Sequence, residues 1–150
     1  MKTFKGRVVA GGNWKGEAVV SHQGMNTLAS YQKSAMGFKE GKINTIVVSD
    51  QNNPDLFGKE ITGKALCLPV TIGSTTGGMV IQTVCSMKIN PAAYLFSEHI
   101  DSLAASGIVL AKIWENSDII CIDKLGAKFL ETVKTGDQIE IKEDGTVNII

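Results

Sequence analysis

The middle of the chain alternates short, fully apolar runs with longer segments in which apolar residues recur at helical spacing. The apolar runs are Ala65 to Leu68, Ala92 to Phe96 and Ile119 to Ile122. One helical pattern extends from Met79 to Met87, and a second one leads to about Trp114. Strands that are apolar throughout and alternate with helices are typical of a parallel sheet covered by helices.

The second helical pattern has recognisable ends. Asp101 or Ser102 can cap its first turn, and Asn116 is a reasonable stop. Apolar spacing of i, i+4, i+7 and i+11 predicts one buried stripe on this helix. The members of the stripe are Leu103, Gly107, Leu110 and Trp114. After the last apolar strand we expect a short helix around Lys124 to Glu131.

The two ends of the chain carry hairpin patterns. Lys5 to Ala10 and Glu17 to Ser21 are strand candidates on either side of a Gly-Gly-Asn turn. Near the other end, Gln138 to Lys142 alternates strictly, and Val147 to Ile150 follows after a turn. Together with the middle of the chain, this predicts an α/β fold of three layers, made of antiparallel strands, a parallel sheet and helices. We expect a single domain over residues 1–150.

Two stretches have less regular patterns. Residues 22–42 show no clean period, and their apolar residues either pack on the core or form a partner-binding surface. These apolar residues are Met25, Leu28, Tyr31, Met36 and Phe38. Thr45 to Val48 is largely β-branched, which predicts a buried strand.

Composition narrows the class of protein. Fifteen basic residues balance fifteen acidic ones without blocks of like charge, which argues against a nucleic-acid or membrane surface. We expect no signal peptide and no membrane span, because no long apolar run is present. The three cysteines lie in apolar contexts without a C-x-x-C pair. They indicate reduced thiols of a cytoplasmic protein, and we expect this chain to bind no metal or cofactor by itself.

A glycine-rich loop joins the first apolar strand to the helix that follows. From Gly73 to Gly78 it has the sequence Gly-Ser-Thr-Thr-Gly-Gly. A helix N-terminus leaves backbone N–H groups free and carries partial positive charge, so it suits an anionic ligand. Ser74 can either cap the helix or contact a ligand. The candidate binding residues of the loop are Gly73, Thr75, Thr76 and Gly77.

Outside the loop, few side chains are candidates for chemistry. Asn53 can orient a substrate, although an asparagine before a proline also serves as turn chemistry. His22 and His99 are the two ring bases. Neither has an obvious carboxylate partner in the sequence, so we expect them at the surface or at a helix entry.

Several segments, taken in order, carry a family resemblance over nearly the whole chain. They are Gly6 to Val9, Gly16 to Ser21, Asp50 with Pro54, Gly63 to Pro69, Gly73 to Thr75, Asn90 to Ala93, Asp123, and Lys134 to Asp137. This ordered set resembles the aconitase X swivel domain family, also called the phosphomevalonate dehydratase small subunit-like family. The resemblance implies the swivelling β/β/α fold, with a parallel central sheet, additional antiparallel strands and helices on one side.

The resemblance also implies a function. The chain would be the small subunit of an aconitase-superfamily hydro-lyase, a dehydratase that works only with a large catalytic subunit. That partner would hold an iron or iron–sulfur centre, and Ser74 would be the base that removes a proton. The substrate would be a small hydroxy acid, either mevalonate 5-phosphate or cis-3-hydroxy-L-proline.

Two other functions remain open at the level of the sequence. Where the family often has His-Pro-Leu, this chain has Asn53-Pro54-Asp55, and residues 22–55 depart from the family pattern. The chain could therefore be a non-catalytic binding or scaffold module that retains the swivel fold. A free-standing binder of small anions, using the helix N-terminus, is the third hypothesis.

Overall fold

The computed structural model describes residues 1–35, 45–72 and 77–150. These ranges contain ten strands and four helices. The strands are β1 (Lys2–Lys5), β2 (Arg7–Ala10), β3 (Trp14–Val20), β4 (Met25–Asn26), β5 (Ala65–Leu68), β6 (Thr71–Ile72), β7 (Ala93–Phe96), β8 (Ile120–Asp123), β9 (Gln138–Ile141) and β10 (Thr146–Ile149). The helices are α1 (Thr27–Ala35), α2 (Gly77–Ser86), α3 (Ser102–Trp114) and α4 (Ala127–Thr132).

A parallel sheet lies at the centre of the molecule. Its strands pair in the order β3-β5-β7-β8, each parallel to the next. Every residue of β5, β7 and β8 is buried. Both faces of these strands are covered, which explains why their sequences are apolar throughout instead of alternating. The parallel sheet and the helices between its strands confirm the fold class predicted from the sequence.

The antiparallel strands form a second layer that continues from β3. The first half of β3, Trp14 to Glu17, pairs with β9, and its second half, Ala18 to Val20, pairs with β5. β9 then pairs with β10, and β10 pairs with β1. β3 therefore belongs to both layers and passes from one to the other along its length.

The two outermost strands of the sheet order, β1 and β2, are consecutive in the chain. Only Gly6 separates them, and its N–H donates to the carbonyl of Gly145 at 3.1 Å. A Cβ atom at Gly6 would lie 2.4 Å from the backbone oxygen of Asp123, so only glycine fits at this joint. The predicted pairing of the first two strand candidates is wrong, because β2 pairs with β8 and not with β3.

Two hydrophobic cores lie on opposite faces of the central sheet. On the helix side, strand residues such as Leu66 and Tyr94 pack against α1, α2 and α3. On the other side, residues such as Cys67 and Leu95 pack against β9, β10 and the short helix α4. The alternation of neighbouring residues between the two cores is the two-residue period of a strand. The order of layers is therefore helices, parallel sheet, antiparallel strands.

Helices α2 and α3 approach each other very closely at Gly78 and Gly107. A Cβ atom at Gly107 would lie 2.2 Å from the carbonyl oxygen of Gly78, and one at Gly78 would lie 2.2 Å from the carbonyl oxygen of Leu103. The crossing requires glycine at both positions, because the obstructing atoms belong to the backbone. This contact fixes the N-terminal part of α2 against the first turns of α3.

The structure corrects the predicted buried face of α3. Gly107 is buried as expected, but Leu103 is 42% exposed and Trp114 is 72% exposed. The buried residues of the helix are Ala104, Gly107, Ile108 and Ala111. Three of these four residues are small, which suits the close approach of α2, while Leu103, Ile113 and Trp114 lie outside.

The first part of the irregular stretch is more ordered than its sequence pattern indicates. Residues 25–35 form β4 and α1, and Met25 and Tyr31 are fully buried. These two residues therefore pack on the core, while Met36 and Phe38 lie outside the described residues. The strand predicted at 45–48 is instead a single bridge between Val47 and Glu60.

No helix in the described ranges is both long and apolar enough to cross a membrane. The three cysteines, Cys67, Cys85 and Cys121, are buried and unpaired with one another. Burial raises the pKa of the Cys85 thiol to about 11. The same effect raises the pKa of Cys67 and Cys121 even further, so these thiols stay protonated and pack as small apolar side chains.

Candidate functional site

Polar side chains collect at the carboxyl edge of the parallel sheet. Each central strand ends there and is followed by residues that can donate, accept or carry charge. They are Ser21 and His22 after β3, Thr71 in β6 beyond β5, Ser97, His99 and Asp101 after β7, and Asp123 at the end of β8. In open α/β sheets, ligands bind outside this edge. A ligand-binding site is therefore expected at this edge of the sheet.

A cleft of about 200 Å³ lies at this edge, beside the N-terminus of α2. Three helices begin around it, α1 at Thr27, α2 at Gly77 and α3 at Ser102. Their N-termini bring partial positive charge to one region, which favours an anionic ligand. At α1 and α3 the side chains of Asn26 and Asp101 already accept one N–H group of the first turn. The residues that line the cleft are Thr27, Thr71, Ile72, Gly77, Asp101, Leu103 and Ala104.

Asp101 forms hydrogen bonds to two walls of the cleft, the start of α3 and strand β6. One carboxylate oxygen accepts the N–H of Ala104 at 2.9 Å and thereby caps α3, as the sequence predicted. The other oxygen accepts the hydroxyl of Thr71 at 2.6 Å. Both oxygens of this carboxylate are already engaged, so Asp101 positions the walls of the cleft.

The structure places the predicted loop residues only in part. Gly77 is the first residue of α2, lines the cleft and has its carbonyl 3.5 Å from the hydroxyl of Thr27. The remaining predicted residues of the loop lie outside the described residues. They are Gly73, Ser74, Thr75 and Thr76. Their roles stay predictions.

Asn53 does not line the cleft. Its side chain is fully buried, donates to the hydroxyl of Ser21 at 3.0 Å and accepts the N–H of Leu56 at 3.3 Å. Its backbone carbonyl also accepts the N–H groups of Leu56 and Phe57. Of the two interpretations of this residue, these contacts favour stabilisation of the turn.

Sequence reasoning missed an ion pair between Arg7 and Asp123. The guanidinium donates two hydrogen bonds to the carboxylate, at 2.9 and 2.6 Å, and the N–H of Ile100 donates a third at 2.8 Å. Burial by itself would raise the pKa of Asp123, but these hydrogen bonds and the charge of Arg7 outweigh it and hold the pKa below its usual value. Antiparallel pairing of β2 with β8 brings together two residues that are 116 positions apart.

A second missed pair joins His22 to Asp55. One carboxylate oxygen accepts the backbone N–H of His22 at 2.8 Å and lies 3.3 Å from its Nδ1 atom. The backbone hydrogen bond contributes most to lowering the pKa of Asp55, and the imidazole adds to it. The side chain of His22 is 63% exposed, which agrees with the expected surface position, and Asp55 is the carboxylate partner that the sequence did not reveal. In the sequence, the position of His22 just after a predicted strand was the only indication of a site here, and it did not identify Asp55 as the partner.

The described residues do not fit a metal or cluster. Within residues 1–35, 45–72 and 77–150, no three His, Cys, Asp or Glu side chains come close enough to hold an ion. The cysteines lie in the two cores and not at the cleft. We therefore derive no step through a metal bound by these residues, and an iron centre in a partner stays a prediction.

Comparisons with known proteins agree with the resemblance seen in the sequence. The family model of the aconitase X swivel domain matches residues 3–149. The phosphomevalonate dehydratase small subunit of Methanocella arvoryzae is 29% identical over 98% of this chain and 96% of its own length. The corresponding subunit of Thermococcus onnurineus is 30% identical over 94% of this chain and 92% of its own length.

A solved structure supports the same conclusion. Thermococcus kodakaraensis aconitase X, in its holo form, aligns with a TM-score of 0.81 at 26% identity and covers 100% of this chain and 99% of that chain. The swivel fold inferred from the sequence is thus confirmed. The relatives are named as small subunits of a dehydratase, which is a hydro-lyase. The chain belongs to the aconitase X swivel domain family.

Proposed function

We propose that this chain is the small subunit of an aconitase X-type hydro-lyase that dehydrates mevalonate 5-phosphate together with a large catalytic subunit. The two relatives described above are named as phosphomevalonate dehydratase small subunits, and the matches span over nine-tenths of each chain. A subunit name of this kind supports a partner that supplies the rest of the enzyme. cis-3-Hydroxy-L-proline is the second substrate to test.

The observation that carries the proposal is the cleft at the start of α2. Ile72 and Gly77 both line it, and they are the described residues on either side of the Gly-Ser-Thr-Thr loop segment. The segment with Ser74 joins these two residues in the sequence, which supports a role for Ser74 at this cleft. No cluster of metal ligands or carboxylates completes the site among the described residues. We infer that a second chain supplies the remaining groups of the site.

In the proposed reaction Ser74 removes a proton from the carbon next to the one that loses its hydroxyl group. A serine is a weak base at neutral pH, so its alkoxide form needs stabilisation. The free N–H groups and partial positive charge at the N-terminus of α2 favour a negative charge at that place. The same features favour the binding of an anionic substrate. We assign the iron or iron–sulfur centre to the large subunit.

Co-expression with a large subunit of the same family tests the proposal. The complex should dehydrate mevalonate 5-phosphate, and the small subunit alone should be inactive. Ser74→Ala should abolish turnover while size-exclusion chromatography shows an intact complex. Ser106→Ala is a matched control, because Ser106 is exposed on α3 and its hydroxyl donates to the carbonyl of Ser102 in the same helix.

The outcomes separate the hypotheses. Full turnover in Ser74→Ala would remove Ser74 from its assigned role. A complex that assembles but dehydrates neither substrate would support the non-catalytic scaffold module. Binding of phosphate or carboxylate anions by the isolated chain, without assembly, would favour the free-standing binder; a thermal-shift titration detects it.

A further inference from the structure

The outer sides of helices α2 and α3 carry almost no charge. The two helices have 10 and 13 residues, and Lys112 is the one Asp, Glu, Lys or Arg residue in their sequences, although such residues make up 20% of the chain. The ammonium group of Lys112 donates to the carbonyl of Gly11 at 3.2 Å, so it is turned towards the body of the domain. Helices on the surface of a globular protein typically present polar and charged side chains to water.

Large apolar side chains occupy the positions where charged ones are expected. On α3, Ile113 is 69% exposed and Trp114 is even more exposed, and on α2 Met79 is 68% exposed. Because the backbones of the two helices are in contact at Gly78 and Gly107, their outer sides adjoin. We call this surface the outer helix face. Its large apolar residues, on the two helices or directly after α2, are Met79, Met87, Leu103, Val109, Ile113 and Trp114.

The outer helix face is large enough to form the centre of a protein–protein interface. From their exposed fractions, the six side chains together present on the order of 600 Å² of accessible surface. One partner contributes about 800 Å² to a stable interface of standard size. A helix that is apolar nearly all round is normally buried on all sides, whereas α3 is covered by this chain on one side only. A second chain is therefore expected to cover the other side.

The large catalytic subunit is the chain that fits this surface. Leu103 belongs to the outer helix face and also lines the cleft. A chain that supplies the remaining groups of the site therefore meets the face at its cleft end. A second copy related by a two-fold axis would instead bring the same face of both copies together, with both clefts inside the interface. The relatives are named as small subunits, which agrees with a different chain as the partner.

We propose that the outer helix face is the docking surface for the large catalytic subunit. This inference rests on the proposed function. Apolar packing along α3, from Leu103 at the cleft to Trp114 at the other end of the helix, holds the two chains together. Because burying an unpaired charge is costly, the surface of the large subunit that packs here is apolar and uncharged as well.

A charge placed on the outer helix face tests the proposal. Ile113→Glu should raise the Kd for a purified large subunit of the same family about tenfold or more, measured by isothermal titration calorimetry. Because Ile113 is exposed in the isolated chain, the variant should keep the wild-type Tm before assembly. Ile150→Glu is the matched control. Ile150 is 62% exposed and follows β10 in the antiparallel layer, on the opposite side of the sheet, so this variant should keep the wild-type Kd. Ser106→Ala adds neither charge nor bulk to α3 and should also assemble like the wild type.

The outcomes separate a failure of this inference from a failure of the proposed function. If the wild-type complex is an active dehydratase and Ile113→Glu binds the large subunit with the wild-type Kd, the docking surface lies elsewhere. If Ile113→Glu abolishes a dimer of the isolated chain but leaves that Kd unchanged, the face joins two copies of this chain and the proposal is overturned. If Ile113→Glu does not fold, Trp114→Ser decides by the same comparison of Kd values. A wild-type chain that binds no large subunit refutes the proposed function and the inference together.

Discussion

Replacing Gly107 by alanine tests the close crossing of α2 and α3. The new Cβ atom would lie 2.2 Å from the carbonyl oxygen of Gly78 and 2.7 Å from its Cα atom. Ordinary contact begins near 3.4 Å, so the two helices must separate by about 1 Å. Because both obstructing atoms belong to the backbone, no side-chain rotation relieves the contact. α2 would move, and its first residue, Gly77, lines the cleft.

Two opposing contributions determine how much Gly107→Ala changes the free energy of unfolding. Alanine in place of glycine in a helix stabilises by about 1 kcal/mol. Overpacking a close contact costs about 1–3 kcal/mol, and the rigid backbone at this crossing places the cost near the upper end. The net effect is a loss of about 2 kcal/mol. For a domain of this size that corresponds to a decrease in Tm of about 4–8 °C.

Thermal unfolding followed by circular dichroism measures the effect. Ser106→Ala, one position earlier on the exposed face of α3, is the control for helix propensity and should change stability by less than about 0.5 kcal/mol. If Gly107→Ala unfolds at the same temperature as the wild type or above it, the crossing is not as close as described. In the assembled complex we also expect Gly107→Ala to lower turnover, because the displaced helix forms part of the cleft.

Two further substitutions examine buried polar contacts. Asp123→Asn removes the charge that Arg7 pairs with; because the Arg7 side chain is half exposed and stays solvated, the loss in urea unfolding at pH 7 should be about 1.5–3 kcal/mol. Because folding lowers the pKa of Asp123, the carboxylate stabilises the fold above its ordinary pKa of about 4, and this stabilisation is lost as the pH falls further. The free energies of unfolding of the wild type and Asp123→Asn should therefore converge in acid. A constant difference between them down to pH 2 would contradict the ion pair. Tyr31→Phe leaves the hydroxyl of Tyr94, 2.6 Å away and equally buried, without its partner and should cost about 1–3 kcal/mol. Replacing both tyrosines should cost less than the two single changes added together, whereas strict additivity would show that the hydroxyls do not interact.

The central α/β unit could be predicted because its signals are local. Strands such as Ala65–Leu68 are apolar throughout, and α3 begins at a capping aspartate. The strand and the start of the helix can therefore be recognised from residues that are adjacent in the sequence. The buried face of α3 was predicted wrongly because this helix is apolar nearly all round. Its orientation depends on the small residues that face α2, and that requires knowledge of the neighbouring helix.

The parts that sequence reasoning missed depend on contacts between distant segments. The Gly-Gly turn after β2 suggested a hairpin between β2 and β3, but β2 instead pairs with β8, which is distant in the sequence. The same limitation applies to the site. His22 and Asp55 are 33 residues apart and meet only because two loops cross. The loop that contains Ser74 was recognised from its glycines and its place before a helix, both of which are local.

The joint at Gly6 has a consequence for how the chain folds. Among the described residues β1 pairs only with β10, whose residues are about 145 positions later in the chain. Contacts of such long range are slow to form, because the intervening chain must be ordered before they add stability. On the ribosome the first strand must therefore wait for the last one, and until then its unpaired backbone is open to other chains. Once β10 is made, it pairs with β9 on one side and with β1 on the other, and the backbone of β1 gains its partner.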